Sequence, residues 1–83
     1  MKIVYFAWVR ERIGKTEEQV DVPEGIGTVA DLVRWLKSRG EEYQYAFENE
    51  GIVRAAVDHT HVKPEASIAG AREIAFFPPM TGG

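Results

Sequence analysis

The residues best suited to chemistry are the last eight of this 83-residue chain, Phe76-Phe77-Pro78-Pro79-Met80-Thr81-Gly82-Gly83. Proline has no N–H and a fixed φ, so Pro78 and Pro79 stop a strand ladder and hold the chain extended. Six residues from Pro78 onward, Met80 and Thr81 included, make an arm reaching on the order of 20 Å. Its tip, Gly82-Gly83, carries no side chain, and glycine leaves the terminal carbonyl unshielded and can adopt backbone conformations closed to other residues. Such an arm, with a carboxylate at its end, fits a narrow channel in another protein. The chemistry this suggests is activation of the carboxylate, which resists nucleophiles until one oxygen becomes a leaving group, as in an acyl adenylate made from ATP. No P-loop sequence is present, so the ATP site must belong to a second protein.

Other candidates are weaker. The absence of cysteine excludes a disulfide framework, a thiolate nucleophile, a redox pair and a cysteine zinc site. Any sulfur chemistry would have to borrow its sulfur. His59 and His61 share one face at strand spacing, but two histidines fall short of the three or four ligands of a metal site, so no metal is expected. Asp58-His59-Thr60 lacks the partners that would frame a catalytic group. Gly25 and Gly27 lead into a helix without the rest of a phosphate loop, which reads as a turn into an N-cap. Thr81 is too exposed for a nucleophile.

The chain's size allows one small domain and a thin stability margin. Ten basic against thirteen acidic residues give a net charge of −3, where a nucleic-acid binder carries a basic stripe, so nucleic acid is not an expected partner. The apolar start runs into Arg10-Glu11-Arg12 without a small-residue cleavage site, and no apolar run approaches the ~20 residues of a spanning helix. A cytoplasmic protein with no membrane association is expected.

The elements that would position the arm follow from periodicity. Alternation predicts strands at Lys2 to Phe6, Glu17 to Val22, Ile52 to Asp58 and Arg72 to Phe77, with a short extended piece at His61 to Lys63. A short helical turn is expected from Ala7 to Ile13, stopped by Gly14. Val29, Leu32, Val33 and Leu36 form the apolar stripe of the main helix, predicted from Val29 to Arg39 with Thr28 and Asp31 at its start. A second short helix is expected over Glu41 to Phe47, then a turn at Asn49 and Gly51. One long helix over a mixed sheet of four or five strands makes an α+β fold, for which the β-grasp or ubiquitin-like roll is the natural candidate. Residues 1–77 would form the domain and 78–83 the extended tail.

Parity then singles out two aromatics. If the helix covers Ile3, Tyr5, Ile74 and Phe76, then Phe6 and Phe77 face solvent or a partner beside the tail, as interface anchors do. Arg10 is a candidate polar contact near that surface.

Val9-Arg10-Glu11, the helix start from Thr28, Ala55-Ala56-Val57-Asp58 and above all Glu73 to Pro79 with Gly82-Gly83 resemble the small sulfur-carrying subunits of molybdopterin synthase along the whole chain. His61 departs from that family's usual aliphatic residue. The resemblance implies a β-grasp fold and a chain that is not catalytic alone. It further implies that a ubiquitin-activating-type enzyme, using ATP, adenylates Gly83, and that a persulfide donor converts it to a thiocarboxylate. The tail then enters the large catalytic subunit, within a heterotetramer, and its sulfur attacks cyclic pyranopterin monophosphate. On this reading Gly83 reacts, Gly82 gives access, the rest of the tail from Pro78 to Thr81 lines the partner's channel, and Phe6, Phe77 and His61 dock. No cofactor is implied on this chain, and the acid–base and phosphate-binding groups would lie on the large subunit. Three alternatives remain: a sulfur carrier for thiamine thiazole synthesis, a protein modifier joined through an isopeptide bond, and a plain interaction module.

Overall fold

The computed structural model describes residues 1–79. Five strands, β1 (Lys2–Tyr5), β2 (Glu17–Gln19), β3 (Arg54–Val57), β4 (Thr60–Val62) and β5 (Glu73–Phe77), form one sheet in the order β2-β1-β5-β3-β4. The central pair, β1 and β5, is parallel; the other pairs are antiparallel. Helices α1 (Ala7–Ile13), α2 (Val29–Lys37) and α3 (Glu41–Ala46) accompany the sheet, with a 3-10 turn at Glu50–Ile52. The mixed sheet and the long α2 agree with the expected β-grasp roll.

The helix start is built as its sequence predicts. Thr28 Oγ1 accepts the Asp31 N–H at 3.1 Å, while Asp31 Oδ2 accepts the N–H of Thr28 at 3.2 Å, satisfying two donors that a helix start leaves unpaired. Hydrogen bonding with Thr28, then with the Gly27 N–H and Arg34, holds the Asp31 carboxyl below the usual carboxylate range. The Val29, Leu32, Val33 and Leu36 stripe is buried. It joins a core in which Ile3, Tyr5, Ile74 and Phe76 are sealed from solvent, each such side chain contributing about 1.5–3 kcal/mol. The Phe76 ring meets Phe47 edge-on at 5.1 Å, a favoured aromatic geometry.

Several boundaries differ from expectation, each for a local reason. β2 ends at Gln19, and one further pair of bonds joins Val20 to Met1. α2 closes at Lys37, because Gly40 serves as the N-cap of α3 instead of ending α2. β3 begins at Arg54, because Glu50–Ile52 takes up a 3-10 turn. β1 stops at Tyr5, because Phe6 is the N-cap of α1 and Ala7 turns left-handed, at φ 53°. α1, by contrast, spans Ala7–Ile13 as expected, and Gly14 closes it at φ 84°, a conformation that favours glycine.

Candidate functional site: the open face of the sheet and its exit strand

The helices cover one face of the sheet, and the other face holds the candidate site. The strand register places Val4, Ala75, Ala56 and His61 in one row across β1, β5, β3 and β4. Phe77 stands one step further along β5, and Phe6 follows the end of β1. Together Phe6, Ala56, His59, His61, Ala75 and Phe77 line an open depression. Its floor is two alanines and its walls are aromatic, a shape that accepts side chains from a partner. Phe6 is 45% exposed, the behaviour parity predicts for it. Phe77 is half-buried because the His61 ring lies 4.9 Å from its own.

The β3–β4 hairpin puts His61 there. Asp58 and His59 have φ of 45° and 71°, matching the two left-handed central positions of a tight two-residue hairpin turn. Asp58 Oδ1 accepts the N–H groups of Arg72 and Glu73, each at 3.0 Å, which ties the turn to the start of β5. Asp58-His59-Thr60 thus has a structural role. His59 Nδ1 lies 3.8 Å from Glu73 Oε2, and Lys2 Nζ reaches both Glu73 and Glu17, while the register sets Arg54 opposite Phe77 at the near end of the face. Among the described residues no group of three or more His, Asp or Glu side chains could hold a metal ion.

At the near end, the Phe6 N–H bonds to the Phe76 carbonyl at 3.0 Å, and the Phe6 carbonyl accepts from Val9 and Arg10. One residue therefore ends β1, starts α1 and presents its ring to the open face. β5 ends at Phe77, and Pro78 and Pro79 continue outside the ladder, both half-buried. Arg10 is exposed on α1 and does not line the depression. Met80, Thr81, Gly82 and Gly83 lie outside the described residues.

Sequence reasoning missed a polar cluster on the covered face. Glu18 occupies an inward position on β2, opposite Ile3, and its side chain is only 10% exposed. Its Oε2 accepts the hydroxyls of Tyr43 at 2.6 Å and Tyr5 at 2.7 Å, and Arg39 donates to Oε1 at 3.1 Å. Lys15 donates to the Tyr43 hydroxyl at 2.9 Å and to Glu18 at 3.4 Å. Burial pushes the Glu18 carboxyl upward, but the bonds from Tyr43, Tyr5 and Arg39 outweigh it and hold the group below its ordinary range. Burial, then the bond to Glu18, raises Tyr5 far above the usual phenol range and raises Tyr43 as well; the bond to Tyr43 raises Lys15. The cluster ties β2 to β1, α3 and the residues after α2. The available signal was a glutamate in phase with Val20 and Val22.

Comparison with protein families matches the ThiS family over residues 3–83. The chain is 36% identical to the molybdopterin synthase sulfur carrier subunit of Escherichia coli (strain K12), covering 100% of this chain and 99% of that protein. It is 30% identical to the protein of the same name from Haemophilus influenzae, again over 100% and 99%. Among solved structures, the small archaeal modifier protein 1 of H. volcanii superposes with a TM-score of 0.68 at 28% identity, covering 96% of this chain and 97% of that one.

Proposed function

The chain belongs to the ThiS family, and from that membership we propose that it is a sulfur carrier of molybdenum cofactor biosynthesis, the small and non-catalytic subunit of a molybdopterin synthase. The observation that carries this reading is the end-to-end match with proteins bearing that name. The open face supports it: an apolar depression stands beside the strand from which Pro78 and Pro79 lead the chain away.

On this proposal the Gly83 carboxylate is adenylated by a ubiquitin-activating-type enzyme that supplies the ATP site. The terminal sulfur of a persulfide donor then attacks the acyl adenylate, expelling AMP and leaving an acyl disulfide, whose S–S bond a second thiol cleaves by reduction to free the thiocarboxylate. The tail enters the large catalytic subunit, while Phe6, Phe77 and His61 dock against it, with Arg10 as a polar contact at the rim. There the sulfur is given up to cyclic pyranopterin monophosphate, two carriers in turn building the dithiolene. The chain works in the cytoplasm and holds no cofactor of its own.

A second reading has its own support, since the H. volcanii neighbour is named a modifier protein. In that role Gly83 would form an isopeptide bond with a lysine of another protein. Reconstitution with the activating enzyme, a sulfur source and the large subunit tests the first reading. Deleting Gly83, or adding one residue after it, should abolish molybdopterin formation while the fold is kept, and unchanged activity would overturn it.

A further inference from the structure

The outward row of the open face nearest the chain's exit changes character along its length. Tyr5 pairs with Phe76, so the next step along β1 and β5 sets Phe6 beside Phe77, and Phe77 stands directly opposite Arg54. Ala55 pairs with Val62, so one further step sets Lys63 opposite Arg54 on the same outward parity. Neighbouring strands lie about 4.8 Å apart, which puts the backbones of both cations within about 10 Å of Phe77. Arg54 and Lys63 are exposed, and among the described residues neither forms an ion pair.

The acidic side chains on the strands of this face do not answer that charge. Glu17 lies in the next row, opposite Val4, and Glu73 lies at the far end, opposite Lys2; Lys2 Nζ is 3.5 Å from the one and 3.8 Å from the other. Like charges that face each other across two strands are destabilising. The near row therefore runs from two aromatic rings to an uncompensated pair of cations, in a chain whose net charge is −3.

We propose that Arg54 and Lys63 form an acid-selective rim of the docking face, which takes carboxylate side chains of the large catalytic subunit while Phe6 and Phe77 take its apolar ones. The identity of that partner rests on the proposed sulfur-carrier reading. A partner carboxylate seated between the two cations relieves a repulsion that the isolated fold leaves in place. Rim charges act on the rate of encounter and on partner choice more than on the lifetime of a complex. The rim stands at the end of β5 from which Pro78 leaves the sheet, so the attraction that brings the partner in also orients it over the root of the tail. A surface with basic side chains at this place is rejected, because like charges would meet at contact.

Binding of the full chain to the large subunit from the same organism, followed by surface plasmon resonance at about 0.01 M and about 1 M salt, tests the proposal; the screening length falls from about 30 Å to about 3 Å over that range. At low salt R54Q/K63Q should bind about fivefold more weakly than the unaltered chain, the scale of two exposed ion pairs, chiefly through slower association, and at high salt the two should bind alike. R54E/K63E should bind about 25-fold more weakly at low salt, since a repulsion of like size replaces the attraction. R54Q/K63Q should melt no lower than the unaltered chain, which separates a docking role from a structural one. Equal low-salt binding of R54Q/K63Q and the unaltered chain, or tighter binding of R54E/K63E, would overturn the proposal and leave the sulfur-carrier reading standing. A loss confined to thiocarboxylate formation by the activating enzyme would assign the cations to that enzyme and overturn it too. No complex between the unaltered chain and the large subunit at either salt would remove the sulfur-carrier reading, and this inference with it.

Discussion

His61 and Phe77 stack across the outer face of the sheet, ring centres 4.9 Å apart and tilted by 41°, so the hairpin that carries one fixes the position of the other. Their pairing forms one wall of the depression beside the chain's exit from the sheet. A partner that covers this wall buries an aromatic surface already held rigid, which lowers the entropic cost of docking.

A charge placed there should be costly. Phe77→Asp is expected to weaken binding to the large synthase subunit at least about tenfold, the scale of a central aromatic anchor. Titration calorimetry reads the change, and an unchanged melting temperature shows that the fold is intact. Equal binding would remove Phe77 from the interface.

Glu18 should govern acid stability. Its carboxyl is held below its ordinary range in the folded protein, so the unfolded chain binds a proton more readily. The stabilisation is therefore fully present above the unfolded value, about 4.3 for glutamate, and is lost as pH falls through the lower folded value. Urea unfolding between pH 7 and pH 3 should show this loss. Glu18→Gln should be less stable at neutral pH by about 2 kcal/mol and should flatten the acid limb; a parallel downward shift at every pH would contradict the assignment.

The α2 cap offers a simpler test. Thr28→Ala removes the oxygen that accepts the Asp31 N–H and should cost about 1 kcal/mol, a drop of about 4–8 °C in a domain of this size. Thermal unfolding by circular dichroism measures it, and no drop would mean that tertiary contacts alone hold the helix start.

How far these features could be read from sequence depended on whether their cause was local. The α2 stripe, the Thr28–Asp31 cap and the Gly14 stop are set within a few residues, and each forms as its pattern predicts. The outward rings of Phe6 and Phe77 follow from strand parity alone. The partners of Glu18 are different, because Tyr5, Tyr43 and Arg39 come from distant segments and only the folded chain brings them to one carboxylate. The same holds for β2, whose extent depends on its pairing with β1 and not on its own alternation alone.

Ala7 shows how the site is aimed. Its φ of 53° costs an alanine about 1 kcal/mol relative to glycine, and this bend turns the chain from β1 into α1 just after Phe6. Ala7→Gly should raise stability by about that amount, while Ala7→Val should lower it by more, both read from urea midpoints. Destabilisation by glycine would show that the methyl group's packing outweighs the backbone strain.

The central claim is that sulfur travels on Gly83, in a chain that has no cysteine to hold it. Intact-mass analysis of the protein after co-expression with its activating enzyme and a sulfur source tests this most directly. The account predicts one oxygen of the Gly83 carboxyl replaced by one sulfur, with no change in a chain lacking Gly83. An unaltered mass, or a stable conjugate to lysine with no sulfur-bearing form, would contradict it.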